Sequence, residues 1–267
     1  MQIQPQPVHR TEMLVCVNDL QLKRQCDEEA LGACIAFIEE YKDKITHFVL
    51  NGDILDFEEQ SNYAKYPDQH GQSTIEIKAG RWLLQYLSAL LPQAEKVFVK
   101  GNHDDRWSNL LKNQTMGLEA WVRPFEEMFD LDRLGWQTIE YGMGNYYQWH
   151  DRIFWHGHRA GAKSNIPKIE LEEVQMSVTT AHIKRNMFHE FVDVLGNYKS
   201  GITHGGFSKN NLAFMKKAST GWSQGFGVYY WNEEIGEQPY SVTMKHGTPA
   251  FIWEGKKFTG KGWRIPL

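Results

Sequence analysis

Four short segments of this sequence carry the residue types that metal and phosphoryl chemistry needs. They are Asn51-Gly52-Asp53, Gly101-Asn102-His103-Asp104, His156-Gly157-His158 and Ala181-His182, with Asn18-Asp19 ahead of them. Singly each is weak, since Asp and Asn are ordinary turn residues and a lone His usually has a structural partner. Together they offer carboxylate and amide oxygens beside imidazole nitrogens, a mixture that suits Mn²⁺, Fe²⁺ or Zn²⁺ and lacks the thiolates of a structural zinc site. Two such ions about 3.5–4 Å apart would clamp a phosphoryl oxygen and activate a water for in-line attack, and an Asp is the side chain best able to bridge them. No Walker A loop, GxSxG elbow or Rossmann glycine pattern competes with that reading.

The elements around these segments read as strands and helices of an α/β chain. Apolar runs at 13–17, 48–50, 97–99 and 153–155, and a weaker one at 177–180, each stop at one of the polar clusters. Ligands gather beyond the carboxyl ends of strands in open α/β sheets, so five such stops predict one shared crevice. Between them, Asp27 is placed to cap a helix carrying Leu31, Cys34, Ile35, Ile38 and Tyr41 at helical spacing. A second helix sets Ile75, Ala79, Trp82, Leu83, Tyr86, Leu87 and Leu90 on one face and closes at Pro92. A further helical region spans about 109–129, and 136–147 reads as a hairpin turning at Gly142 and Gly144. From 225 onward, runs at 228–231 and 242–244 suggest β structure, while 188–215 matches no element cleanly. With no repeat or linker, the expectation is a single domain over 1–267, with core motifs in 13–185 and a C-terminal β elaboration in 220–265.

Composition narrows the partners. The 267 residues carry 29 Lys+Arg against 33 Asp+Glu, a net charge of −4, which disfavours tight binding to long duplex DNA and leaves nucleotides and nucleic-acid ends open. Hydrophobic residues make up 41%, enough for an ordinary core. Cys16, Cys26 and Cys34 form no CxxC pair and read as buried, reduced thiols. No leader pattern or bilayer-length apolar stretch is present, so the expectation is a soluble, cytoplasmic protein with no membrane partner. In that setting the sequon Asn113-Gln114-Thr115 is a chance match.

The motif order Asp19…Gly52-Asp53…Gly101-Asn102-His103-Asp104…His156-Gly157-His158…Ala181-His182 resembles the calcineurin-like metallophosphoesterase superfamily over residues 13–185, and the segment 222–228 resembles the tail of some bacterial and phage members. The resemblance implies a β-sandwich flanked by α-helices, with the metals at the strand C-terminal ends. It implies metal-dependent hydrolysis of phosphate esters, as a phosphomonoesterase or phosphodiesterase; nucleotides, nucleic-acid ends, phosphoproteins and small phosphorylated metabolites are the open substrate classes. The alternative is a metal-binding scaffold with weak or lost catalysis. Carried over, Asp53 bridges the metals; Asn102, His156 and His182 complete the second site. His103 is the catalytic imidazole, Asp104 orients it, and Arg106 clamps phosphate, against the bland reading of a solvated surface charge. His158 supports the site or contacts substrate.

The pattern breaks at two places, both on the first metal. Where the family has Asp-x-His, this chain has Asp19-Leu20-Gln21; where it has Gly-His-x-His, this chain has Ala181-His182-Ile183-Lys184. The cofactor expectation is therefore one tight divalent site, with Mn²⁺ ahead of Fe²⁺, Zn²⁺ and Mg²⁺, and one weak site that substrate phosphate helps to fill. Lys184 either supplies charge at the altered position or snorkels to solvent. His204, in Thr203-His204-Gly205-Gly206, is the rival to His182 as last ligand; a loop-like setting counts against it. Lys209, Lys216 and Lys217 with Phe207 and Phe214 either line a substrate approach or form ordinary surface.

Overall fold

The computed structural model describes residues 11–61, 71–114, 123–159, 165–209 and 221–266. The strands and helices follow in the order β1 (Glu12–Val17), α1 (Glu28–Tyr41), β2 (His47–Asn51), α2 (Gln72–Leu90), β3 (Glu95–Val99), α3 (Asp105–Gln114), α4 (Phe125–Met128), β4 (Trp136–Ile139), β5 (Tyr147–Trp149), β6 (Arg152–Phe154), α5 (Ile166–Val174), β7 (Ser177–Thr180), β8 (Met187–Val192) and β9 (Tyr198–Thr203). They close with β10 (Gln224–Asn232), β11 (Gly236–Met244), β12 (Ala250–Trp253) and β13 (Lys256–Thr259).

Two sheets result. A six-stranded sheet has the order β11-β10-β1-β2-β3-β4, with β1 to β4 parallel and β10 antiparallel to β1. A five-stranded sheet has the order β5-β6-β7-β9-β8, with β6, β7 and β9 parallel. The strands β1 to β3 are buried on both faces, which is why they read as unbroken apolar runs. Alternate residues divide the work. Met13, Val15, Val17, Phe48, Leu50 and Phe98 join the helical core with α1, α2 and α4, while Leu14, Cys16, Val49, Val97 and Val99 meet Tyr147, Trp149, Phe154 and Tyr229 between the sheets. On the outer face of the second sheet, Ile153, Trp155 and Val178 pack on Leu171 of α5. The architecture is thus the expected α/β class, two facing sheets flanked by helices.

Asp27 caps α1 as expected, its side chain accepting from the Ala30 amide. All three cysteines are buried and unpaired. Helix α2 is rotated from the expected face: Ile75 is exposed, and Glu76 lies buried among Ala79, Gly80, Leu83 and Leu87. The 136–147 hairpin does not form. β4 pairs in parallel with β3, whereas β5 pairs with β6 in the other sheet, so the glycines of 142 and 144 serve a crossing between sheets. Glycine turn chemistry looks the same in both cases. The unplaced stretch after 188 holds β8 and β9, which form an antiparallel pair. The C-terminal strands β10 and β11 extend the main sheet through β1. Among the described residues no helix is long and apolar enough to cross a membrane. Thr115 of the sequon, together with Phe214, Lys216 and Lys217, lies outside the described residues.

Candidate metal centre

The turns that follow β1, β2, β3, β6 and β7 converge at one end of the two sheets and are stitched together by main-chain bonds. The Asp19 amide donates to the Gly52 carbonyl at 2.9 Å and the Gln21 amide to the Asp53 carbonyl at 2.9 Å. The His103 amide donates to Asp53 Oδ1 at 2.9 Å, and the His182 amide to Asp19 Oδ2 at 3.1 Å. Five side-chain-bearing residues of the site hold left-handed backbone: Asp19, Gln21, Asp53, His182 and Lys184, with φ between 44° and 69°. Such strain persists only where surrounding contacts over-determine it. Two glycines make the space. A Cβ on Gly52 would come 2.2 Å from His156 Nδ1, and one on Gly101 would come 2.2 Å from Asp53 Oδ1.

Asp53, His156 and His182 each present a ligand atom, all within 4.8 Å of one another. His156 Nδ1 lies 3.0 Å from the Asn51 carbonyl, which can only accept, so that nitrogen carries the hydrogen. A neutral ring then points the Nε2 lone pair at Asp53 Oδ1, 3.2 Å away, and Nε2 has no hydrogen-bond partner. Two facing acceptors need a proton or a cation between them. Burial alone would lower the His156 pKa, but the Asp53 carboxylate overcomes it and raises it to about 9. Asp53 is itself held well below the usual carboxylate range, since its burial is outweighed by the charges of His103 and His156. The Asn102 Oδ1 atom sits 2.8 Å from His182 Nδ1, adding an amide oxygen beside the trio. Burial and the neighbouring His156 charge lower the His182 pKa, which favours the neutral ring a metal requires. A carboxylate, two imidazoles and an amide, one ring anchored by its other nitrogen to a backbone carbonyl, fit a borderline divalent ion.

Facing this cluster is an imidazole with a carboxylate behind it. His103 Nδ1 lies 2.7 Å from Asp56 Oδ1, and its Nε2 lies 3.7 Å from Asp53 Oδ2. The carboxylate on the His103 ring is therefore that of Asp56, not the expected Asp104. Asp104 turns its oxygens to the amides of Leu55 at 3.0 Å and Gly101 at 2.9 Å, tying the β2 and β3 turns together, and burial with the Asp53 charge pushes it up to about 6. Arg106 is not a solvated surface charge. Its Nη1 donates to the Asp56 carbonyl at 2.7 Å, and its Nη2 lies 3.4 Å from His103 Nε2. Burial raises Asp56, but His103 and Arg106 bring it below its ordinary value. The Asp56 turn is fixed from α2, where Glu76 Oε2 accepts from the Asp56 and Phe57 amides at 3.1 and 2.7 Å. Burial and the Asp56 charge push Glu76 up to about 8.

The altered motifs also come together. Lys184 does not snorkel; it is buried, with Nζ donating to Gln21 Oε1 at 2.5 Å and lying 4.4 Å from the centre of the Trp222 ring. Burial lowers its pKa, while Asp19, Asp53 and Asp56 pull the other way. Ser208 Oγ also donates to Gln21 Oε1, at 3.1 Å. Buried Asp19 Oδ1 and Gln21 Nε2 have no hydrogen-bond partner.

His158 and His204 stand apart from the trio. His158 is exposed and joins Tyr141, Met143 and Trp155 around a cleft of about 280 Å³ that opens beside His156. His204 directly follows β9, not a loop as its Gly-rich setting implied, and its ring is buried against the Tyr229 and Ser241 hydroxyls. Phe207 is wholly buried, and the Lys209 ammonium donates to the Arg24 carbonyl at 3.2 Å. The sequence reading missed Asp56, Glu76 and Trp222. Asp56 had a usable sign, an acid three residues beyond Asp53 in the same turn. Glu76 had none, because a lone acid on a helix reads as solvated.

No family model matches the sequence, and no curated protein matches it either. Among solved structures, the fold is similar to Vacuolar Protein Sorting 29 from Cryptosporidium parvum, with 12% identity over 93% of this chain and 95% of that one and a TM-score of 0.42. It is similar also to the nuclease MPE of Pseudomonas putida, with 12% identity over 84% of this chain and 85% of that one and a TM-score of 0.36. Likeness at that level leaves the site to be read from its own distances.

Proposed function

We propose that this protein hydrolyses phosphate esters, with nucleotides or nucleic-acid ends as the substrate class, at a divalent metal held by Asp53, Asn102, His156 and His182. One observation carries the reading: the metal-capable trio shares Asp53 with a carboxylate-backed imidazole and its arginine, His103 Nε2 being 3.7 Å from Asp53 Oδ2 and 3.4 Å from Arg106 Nη2. A structural metal site needs neither of those groups.

When bound, the ion supplies Lewis acidity toward a phosphoryl oxygen and lowers the pKa of an attacking water; Mn²⁺ is the proposed metal, with Fe²⁺, Zn²⁺ and Mg²⁺ the alternatives. The protein supplies the rest. Asp56 accepts from His103 Nδ1, which fixes the ring and aims Nε2 into the site. Protonated at Nε2, the ring delivers a proton to the leaving oxygen, and the Asp56 charge stabilises the imidazolium. Arg106 is held by the Asp56 main chain, so its planar fork is oriented for a phosphoryl oxygen. Asn51 fixes the His156 tautomer, and Asp104 holds the two turns that carry Asp53 and Asn102.

A second reading, a metal-binding module without catalysis, draws support from Lys184 beside the altered first-metal motif. Assays of bis-p-nitrophenyl and p-nitrophenyl phosphate with Mn²⁺ separate the two. The wild type should cleave at least one of them in a chelator-sensitive way, and the ratio distinguishes diesterase from monoesterase. His103→Ala and Asp56→Asn should each lower kcat by about 10²–10⁴-fold with metal content unchanged. No chelator-sensitive cleavage of either substrate would overturn the enzyme reading.

A further inference from the structure

The family resembled in sequence places two metals across the bridging Asp, and the residues at the first of those positions do not fit a second ion. Four side chains meet there, Asp19, Gln21, Lys184 and the shared Asp53. The Gln21 carbonyl oxygen, the one atom of that amide able to ligate, already accepts from Lys184 Nζ at 2.5 Å and from Ser208 Oγ at 3.1 Å. Its amide nitrogen is a donor and cannot ligate. One Asp19 oxygen is bound by the Asn18 side chain at 2.8 Å and by the His182 amide at 3.1 Å. What remains is one Asp19 oxygen and a share of Asp53, short of the four or more donors that Zn²⁺ or Mn²⁺ takes. The cation already present is the buried ammonium of Lys184, held on Gln21 Oε1 over the Trp222 ring. Gln21 and Lys184 are thus a matched pair: the amide oxygen that replaces one imidazole serves to hold the ammonium that replaces the other.

We propose that Lys184 is a built-in cation standing where a second metal would sit, so that the protein holds one divalent ion per chain. The inference rests on the metal reading above and narrows it. It also removes the weak, substrate-assisted second site expected from the sequence. A fixed ammonium provides charge without an open coordination position, so it offsets Asp19 and Asp53 but cannot bind a water for attack. Any hydrolysis then runs from one ion, with Lys184 as a positioning charge.

The test is metal stoichiometry on the full chain, by elemental analysis and Mn²⁺ calorimetry, with and without inorganic phosphate. The wild type should hold one ion in both conditions and show the electron paramagnetic resonance spectrum of an isolated Mn²⁺. The double variant Gln21→His/Lys184→His should hold two and show an exchange-coupled pair. Two ions in the wild type in either condition would overturn the Lys184 inference alone, whether or not the double variant folds. No ion in the wild type would overturn the metal reading and this inference with it. A folded double variant that still takes one ion would overturn the claim that Gln21 and Lys184 are what excludes the second.

Discussion

β7 and β9 lie side by side and parallel, and each is followed almost at once by a histidine, yet the two rings have different neighbours. Thr180 pairs with Thr203 as the last pair of that ladder; His204 follows its strand at once, and His182 comes one residue later in left-handed backbone, with φ 69°. The His182 ring reaches Asn102 and the Asp53 carboxylate, with Asp19 holding its amide. The His204 ring turns inward, Nε2 at 2.6 Å from the Tyr229 hydroxyl and Nδ1 at 2.9 Å from Ser241 Oγ. Burial, reinforced by the Arg152 charge, pushes its pKa down to about 3. A histidine at a strand end is therefore not a ligand by position. Whether the ring faces carboxylates or hydroxyls decides.

The sharpest way to break this contrast is to remove each ring in turn. His182→Ala should weaken Mn²⁺ binding by at least about 100-fold in calorimetry, more than the loss of a mere supporting contact. His204→Ala should leave the affinity within about tenfold but cost roughly 2 kcal/mol in chemical denaturation, because the buried Tyr229 hydroxyl loses a partner. Equal loss of metal from both variants would collapse the distinction.

Acidity separates the two regions next. Metal must displace the proton on His156, whose pKa is raised to about 9, so affinity should climb about tenfold per pH unit from pH 6 and level off near 9. His204 acts on stability, and in a lower window. Its folded pKa of about 3 lies below the ordinary His value of about 6.5, so in that range the unfolded chain binds the extra proton. Its contribution is complete above about pH 6.5 and is lost toward about pH 3, by about 1.4 kcal/mol per unit. His204→Gln should reduce that slope in metal-free denaturation curves while leaving the pH dependence of metal binding unchanged. A flat metal-affinity profile from pH 6 to 9 would contradict the His156–Asp53 arrangement.

The smallest effect belongs to a third histidine. His158 is exposed at the cleft beside His156, so His158→Ala should change Mn²⁺ affinity by less than about tenfold. A larger loss would make it a ligand and enlarge the centre.

The sequence made β1 to β3 legible because burial on both faces leaves uninterrupted apolar runs, and the polar stops there and after β6 and β7 marked where Asp53, His103, His156 and His182 would meet. It did not show partners set by packing between distant segments. Asp104, next to His103 in the chain, was the natural guess for its carboxylate, but the turn points that side chain at backbone amides and brings Asp56 to the ring. Glu76 is committed to the site only by the rotation of α2, which tertiary contacts set. β8 and β9 were obscured because their residues mix polar and apolar types, as suits a sheet edge exposed on one strand. The Gln21–Lys184 bond joins residues 163 positions apart, and the sequence could place the lysine there only as one of two options.

Asp53 follows a strand of the six-stranded sheet, whereas His156 and His182 follow strands of the five-stranded one. An ion coordinated by all three would pin the two layers at one end, much as a rivet fixes two plates. Shear between the layers would then have to stretch coordination bonds as well as slide side chains. The chemistry and the mechanical rigidity of this sandwich would share a single fastening.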